Sequence, residues 1–231
     1  MHKFLFVLFL TAAISWGAGT RITFLVGSAE VHRARHSLPV RVSMNLQQGD
    51  SLLVAAQSRV ELRYPDNTVL RLDENSRLVV TAAAKKPEPT LLTGKAWANV
   101  TKVGKGGQGF GLKTPTAVAA VRGTVFRMSE DDSGATVKLY EGKVDVGHLP
   151  KDGEVEGPAE VSLTQWVHLL RGEEVVCHKR GAWNSQHFDV ATDLKDSWVR
   201  FNTERDKALG LPVAGEDAPK DASESDNPWK K

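Results

Sequence analysis

Between residues 22 and 176 the sequence breaks into short segments in which apolar and polar residues alternate, each ending in turn-forming residues. A period of two puts successive side chains on opposite faces of an extended chain, so this pattern restricts most of the protein to β-strands. Val60, Leu62 and Tyr64 alternate with Arg59, Glu61 and Arg63. Pro65-Asp66-Asn67-Thr68 then turns the chain, because Pro presets φ and Asn tolerates positive φ. Leu70 and Leu72 resume the alternation with Arg71 between them, which reads as a hairpin with one buried and one wet face. Residues 136–140 and 143–146, on either side of Glu141-Gly142, read as a second hairpin, and residues 161–166 and 174–176 as further strands. The fold class expected is all-β: an antiparallel β-sandwich or roll built from hairpins, followed by one C-terminal amphipathic α-helix.

One strand departs from this alternation. In residues 114–126, Ala117, Ala119, Val121 and Val125 share one parity and Val118, Ala120 and Phe126 the other, so both faces need cover and the strand is expected to be central. Pro115 is tolerated only near its start. Arg122 falls inside this apolar run beside Gly123, where a charge must be paired or reach the surface. It is read as a tie to a carboxylate or to carbonyls, with contact to an anionic ligand as the alternative.

The N-terminus has its own logic. A basic start, Met1-His2-Lys3, precedes an apolar run of eleven residues (4–14) and small residues at 15–19. This is the layout of a secretory signal peptide, too short for a helix to cross ~30 Å of hydrocarbon. Cleavage near residues 17–19 is the expectation, and an uncleaved anchor the alternative. The protein is thus expected to be periplasmic or secreted, with no membrane span after cleavage. Hydrophobic residues at 41% allow a core, and a net charge of +2 argues against a bulk nucleic-acid binder. A single cysteine, Cys177, excludes an internal disulfide.

Ordered landmarks then carry a resemblance. Leu25-Val26-Gly27-Ser28-Ala29-Glu30-Val31, Leu46-Gln47-Gln48-Gly49-Asp50, the Tyr64 to Leu72 hairpin and Leu92-Thr93-Gly94-Lys95-Ala96-Trp97 come in sequence. The most specific stretch is Thr114-Pro115 followed by Val121-Arg122-Gly123-Thr124-Val125-Phe126, and Glu141-Gly142-Lys143-Val144 completes the order. Over about residues 22 to 170 the chain resembles the FecR domain family. Asn67 stands where the family shows Gly. The resemblance implies an all-β envelope domain without catalytic residues, and Thr114, Pro115, Arg122, Gly123, Thr124 and Phe126 as signature residues of structural role. Iron-uptake regulators of the family place a cytoplasmic anti-sigma segment and a membrane helix ahead of the domain. Here the signal-peptide pattern stands in that place, so the chain looks like an exported stand-alone member.

The remaining chain divides as 1–19 signal peptide, 20–181 β domain, 182–210 helix packed on it and 211–231 disordered tail. The helix rests on Phe188, Ala191, Leu194, Trp198, Phe201 and Ala208 along one stripe, with Asn184 or Ser185 as N-cap and Gly210 and Pro212 as its stop.

No cofactor or metal is expected. Gly104-Lys105-Gly106-Gly107-Gln108-Gly109 fits G-x-G-x-x-G, but an extended, Pro-interrupted segment follows where a phosphate-binding helix is required. A metal set of His168, Cys177 and His187 lacks ligand spacing. With no catalytic constellation the chain is not read as an enzyme. Its expected role is recognition of an envelope protein, in signalling or assembly. A peptidoglycan or acidic-polysaccharide module is the alternative, motivated by basic residues and by Trp97, Trp166 and Trp183. Candidate surface residues are Arg33, Arg35, Lys105 and Trp97; the oligomeric state is not legible.

Overall fold

A computed structural model describes residues 19–81, 87–102, 109–148, 166–179 and 183–216. Most of the signal-peptide pattern, the glycine loop with Lys105, and residues 161–165 and 217–231 therefore lie outside the described residues. Among the described residues sixteen strands form two sheets, here I and II, and the chain repeatedly crosses between them. It starts in sheet I with β1 (Arg21–Val26) and enters sheet II for β2 (Ala29–Arg33), β3 (His36–Pro39) and β4 (Ser51–Val54). It returns to sheet I for the hairpin β5 (Arg59–Arg63) and β6 (Val69–Leu72), then lays β7 (Arg77–Val79) in sheet II. The long β8 (Thr90–Asn99) begins in sheet II and ends in sheet I. Thereafter come β9 (Phe110–Lys113) and β10 (Ala117–Val121) in sheet II, and β11 (Val125–Glu130) and β12 (Gly134–Glu141) in sheet I. Next, β13 (Lys143–His148) and β14 (Trp166–Leu170) lie in sheet II, and β15 (Glu173–His178) and β16 (Trp183–His187) in sheet I. Sheet I runs β1-β5-β6-β8-β11-β12-β15-β16 and sheet II β3-β2-β4-β7-β8-β9-β10-β13-β14. Among the described residues every strand pairing is antiparallel except one parallel contact, Thr90 with Lys113.

Alternation fills the space between the sheets. Val60, Leu62, Leu70, Leu72, Ala96, Ala98, Phe126 and Leu139 from sheet I meet Val31, Leu52, Leu78, Leu91, Leu112, Ala119 and Val146 from sheet II in one apolar core. The crossings demand special backbone. At Gly94, where β8 passes between sheets, φ is +94° and a Cβ would lie 2.5 Å from Ser76 Cα. Gly142 joins β12 to β13 at φ +88°, and a Cβ there would sit 2.7 Å from the Gly123 carbonyl oxygen.

These crossings correct two expectations. Residues 136–146 are not a hairpin: β12 pairs with β11 and β15, β13 with β10 and β14, and Gly142 is the corner between sheets. Residues 114–126 are not one strand either. Thr114 opens a turn into β10, whose two neighbours make it central as expected, and residues 122–124 form the corner into β11. The β5–β6 hairpin is as read, with Asn67 at φ +67°.

The C-terminal reading also shifts. Residues 183–187 add β16 to β15, so Asn184 and Ser185 are strand residues, not caps. Helix α1 (Val190–Asp193) is capped by Asp189 and α2 (Ser197–Ala208) by Asp196. Asp196 Oδ1 accepts from both the Trp198 and Val199 amides, a stronger start signal than the apolar period. Past Gly210, the Pro212 carbonyl accepts from Asn99 Nδ2 and Ala214 is buried, so residues 211–216 are held to the body.

Gly142→Ala is expected to cost about 2 kcal/mol or more, since both φ and the Gly123 carbonyl oppose a Cβ. Gly49→Ala, at φ +83° but in open space, should cost only about 1 kcal/mol. Urea unfolding of both variants measures the difference.

Candidate functional site

Sheet I has an outer face, and most of its polar chemistry lies in one cross-strand row. Register aligns Phe24, Glu61, Arg71, Trp97, Arg127, Lys138, Glu174 and Gln186 across all eight strands. The C-terminal segment closes over this row. Trp198, Val199 and Ala214 pack on Trp97, Val125 and Tyr140 as a second apolar cluster, with Phe188, Leu194 and Phe201 at its margin. The hairpin face expected to be wet is therefore covered: Glu61 and Arg71 side chains are each only 1% exposed.

Arg71 lies at the centre. Its Nε donates to Glu61 Oε2 at 2.8 Å and its Nη1 to Asp206 Oδ1 of α2 at 2.6 Å. Trp97 Nε1 donates to the other Asp206 oxygen at 2.9 Å. Arg205, one position earlier on α2, donates from Nε to Glu61 Oε2 at 2.8 Å, and its guanidinium lies 3.8 Å from the Phe24 ring centroid. Farther along the row, Asp193 accepts from Lys138 Nζ at 2.9 Å and from the Tyr140 hydroxyl, with Arg127 at 3.5 Å. Burial by itself would raise the Glu61 carboxyl, but donors from Arg205, Thr23 and Arg71 outweigh it and hold its pKa at about 2. At Asp206 burial prevails over the Arg71 charge and its donors, and the carboxyl stands above its ordinary value. These carboxylates are hidden from any substrate, so the cluster acts as a tie between sheet and helix.

The signature residues are spent on the frame. Thr114 Oγ1 accepts from the Thr116 and Ala117 amides and sets the β9–β10 turn with Pro115 exposed at its tip. Thr124 Oγ1 donates to the Lys143 carbonyl across the corner, Gly123 has φ +64° and Phe126 is buried in the core. Arg122 lies exposed at this corner rather than inside an apolar run, because the chain changes sheets there.

Among the surface candidates, Arg33 is bound on two oxygens to Asp50, at 2.9 and 2.7 Å, and ties the β2–β3 hairpin to the start of β4. Arg35 is exposed in the hairpin turn. Trp97 is fully buried and bonded to Asp206, which removes it from any surface or sugar platform. Lys105 lies outside the described residues. His168, Cys177 and His187 are not brought together as ligands: Cys177 points into the core, where burial pushes its thiol up to about 12, and His168 pairs with Asp145 at 2.5 Å on sheet II. Among the described residues no group of three His, Cys, Asp or Glu is placed to hold a metal. Sequence reasoning missed the Glu61–Arg71–Asp206 cluster. Val69 was its signal, because it shares Arg71's parity, is apolar, and so required cover on that face.

Residues 50–145 match the family model described as FecR protein. Over this stretch the chain is similar to that family. The structure is similar to two crystal structures of a candidate anti-sigma factor from Parabacteroides distasonis ATCC 8503, each at 19% identity and a TM-score of 0.50. Each match covers 64% of this chain, and 65% and 64% respectively of those chains, so the likeness extends over less than two thirds of either partner. It establishes a shared fold. No curated protein matches the chain.

Arg71→Ala should cost about 3–5 kcal/mol, because it leaves Glu61 and Asp206 buried without their shared cation. Arg122→Ala, at an exposed corner, should cost less than about 1 kcal/mol. Glu61 also sets a pH dependence. Its folded pKa of about 2 lies below the ordinary 4.5, so its contribution is full above about 4.5 and is lost as pH falls through about 2. That contribution amounts to about 3 kcal/mol. Asp206, raised on folding, acts in the opposite sense and softens the acid loss. Equilibrium unfolding of Glu61→Gln against the parent should show a stability gap that is widest near neutrality and narrows toward pH 2.

Proposed function

We propose that this protein is an exported, non-catalytic FecR-type recognition domain that binds a protein partner in the bacterial cell envelope, in signalling or envelope assembly. The observation that carries the reading is where the polar chemistry goes. In the matched FecR stretch, Glu61, Arg71, Thr114 and Thr124 are consumed by contacts within the fold. A body that spends its buried polar groups on its own frame acts through its surface. The regulatory character of the FecR family supports signalling as the context, and the signal-peptide pattern at residues 1–19 supports export.

The polar edge strand β16 supports a protein partner. It pairs with β15 on one side, and Asn184, Ser185, Gln186 and His187 are exposed. Such an edge offers backbone donors and acceptors to an added strand. The polysaccharide reading loses its sharpest support with Trp97 buried and Arg33 neutralised by Asp50.

Affinity capture from envelope extracts, with the protein immobilised and free protein as competitor, should retain a specific partner that the competitor displaces. Recovery of no specific protein overturns the reading. Salt-sensitive pelleting with purified sacculi would transfer the assignment to the glycan.

A further inference from the structure

The two sheets meet unevenly at one side. Among the described residues β3 ends sheet II and β1 ends sheet I on this side, and the segment from residue 40 to 46 bridges the gap between them. Its backbone runs beside β1: the Ile22 amide donates to the Met44 carbonyl, the Ser43 amide to the Ile22 carbonyl, and Arg21 pairs with Asn45. Ser43 takes φ +72°, which turns the segment outward and leaves Val42 55% exposed. Leu38, Pro39, Arg41, Val42, Ser43 and Met44 line an open trough of about 470 Å³ there.

Arginines dominate the charge around this trough. No acid occurs from Val31 to Gly49, while Arg33, Arg35 and Arg41 do. Arg33 is neutralised by Asp50, but among the described residues Arg35 and Arg41 are exposed and in no ion pair, as is Arg21 beside Asn45. Glu30, opposite Pro39, is an exposed carboxylate held by Ser37 and His32, so three unpaired arginines stand against it.

We propose that this face is a docking surface for an anionic phospholipid bilayer. Val42, Leu38 and Met44 enter the interface, and Arg41, Arg21 and Arg35 meet lipid phosphates. What favours a membrane over an acidic protein is layering: Val42 is exposed with Leu38 and Met44 half-buried beside it, and the Arg41 and Arg21 side chains are free to meet phosphates, apolar below and anionic above. The surface is independent of the partner reading, and either stands if the other fails.

The test uses the full chain with Val42→Cys carrying an environment-sensitive fluorophore. Cys177, buried with its thiol pushed up to about 12, stays unlabelled. Vesicles of equimolar phosphatidylcholine and phosphatidylglycerol should shift the emission to the blue; phosphatidylcholine alone should not. Adding Arg41→Glu should weaken the response by at least about fivefold. A label at Leu170→Cys, exposed on the opposite edge strand of sheet II, should not respond. Equal shifts at both positions, or with both vesicles, would show attachment through another part of the chain and overturn the proposal. A response to polyglutamate but not to anionic vesicles would assign the surface to an acidic protein instead.

Discussion

A guanidinium buried between a strand carboxylate and a helix carboxylate fixes where the C-terminal segment sits. Arg71 reaches Glu61 within sheet I and Asp206 on α2, and Arg205 returns from the helix to Glu61. Two cations and two anions thus alternate across the boundary between β-layer and helix. Apolar packing of Trp198 and Val199 supplies attraction but tolerates sliding, since dispersion has little direction. The charges do not tolerate it: moving α2 by one residue would strand Asp206 away from both Arg71 and Trp97 Nε1, in a place where an unpaired ion costs several kcal/mol. Register is therefore fixed by ions and area by aromatics.

The sheets pose the complementary problem of passing one chain repeatedly between two layers without exposing the core. The solution is a set of tight corners at Gly94, Gly123 and Gly142, each with positive φ. Two of them touch, because the Gly123 carbonyl occupies the space a Cβ on Gly142 would need. Thr124 bonds to the Lys143 carbonyl beside them, so the corner out of β10 and the corner into β13 are one unit. The sequence signature around residues 121–126 is in this sense a description of a crossing. Its glycine and threonine are frame parts, and its arginine projects outward from the bend.

Much of this was legible beforehand, for reasons that also explain what was not. Period-two alternation exposes strands and their buried parity, so the β character and the β5–β6 hairpin followed from Val60, Leu62, Leu70 and Leu72. Alternation does not say whether the next strand folds back in the same sheet or crosses to the other. Glu141-Gly142 suits both outcomes, and only its contact with Gly123 decides. Polar parity was read as solvent-facing, which holds for a two-layer body. Here a third layer arrives from residues 188–216, more than a hundred positions later, and Glu61 and Arg71 are dry. At the C-terminus a helical apolar period over residues 188–208 concealed a break, because Asp189 and Asp196 each start a separate helix while β15 takes residues 183–187 as a further strand. Long-range pairing overrode local pattern in each of these cases.

What remains for function is the perimeter, and its sides are not equivalent. Sheet I ends at β1, which the segment of residues 43–45 covers in part, and at β16, which is short, polar and without proline. Among the described residues sheet II ends at β3, whose last residue is Pro39, and at β14, where Leu170 is exposed. Proline withholds a ladder donor and so resists an added strand, whereas a polar five-residue edge such as β16 accepts one. The β1–β3 side instead carries apolar side chains beside arginines, which suits a surface more than a strand. A β-body with one edge fit for pairing and the other side fit for an anionic layer can hold a partner at one border while resting on the other.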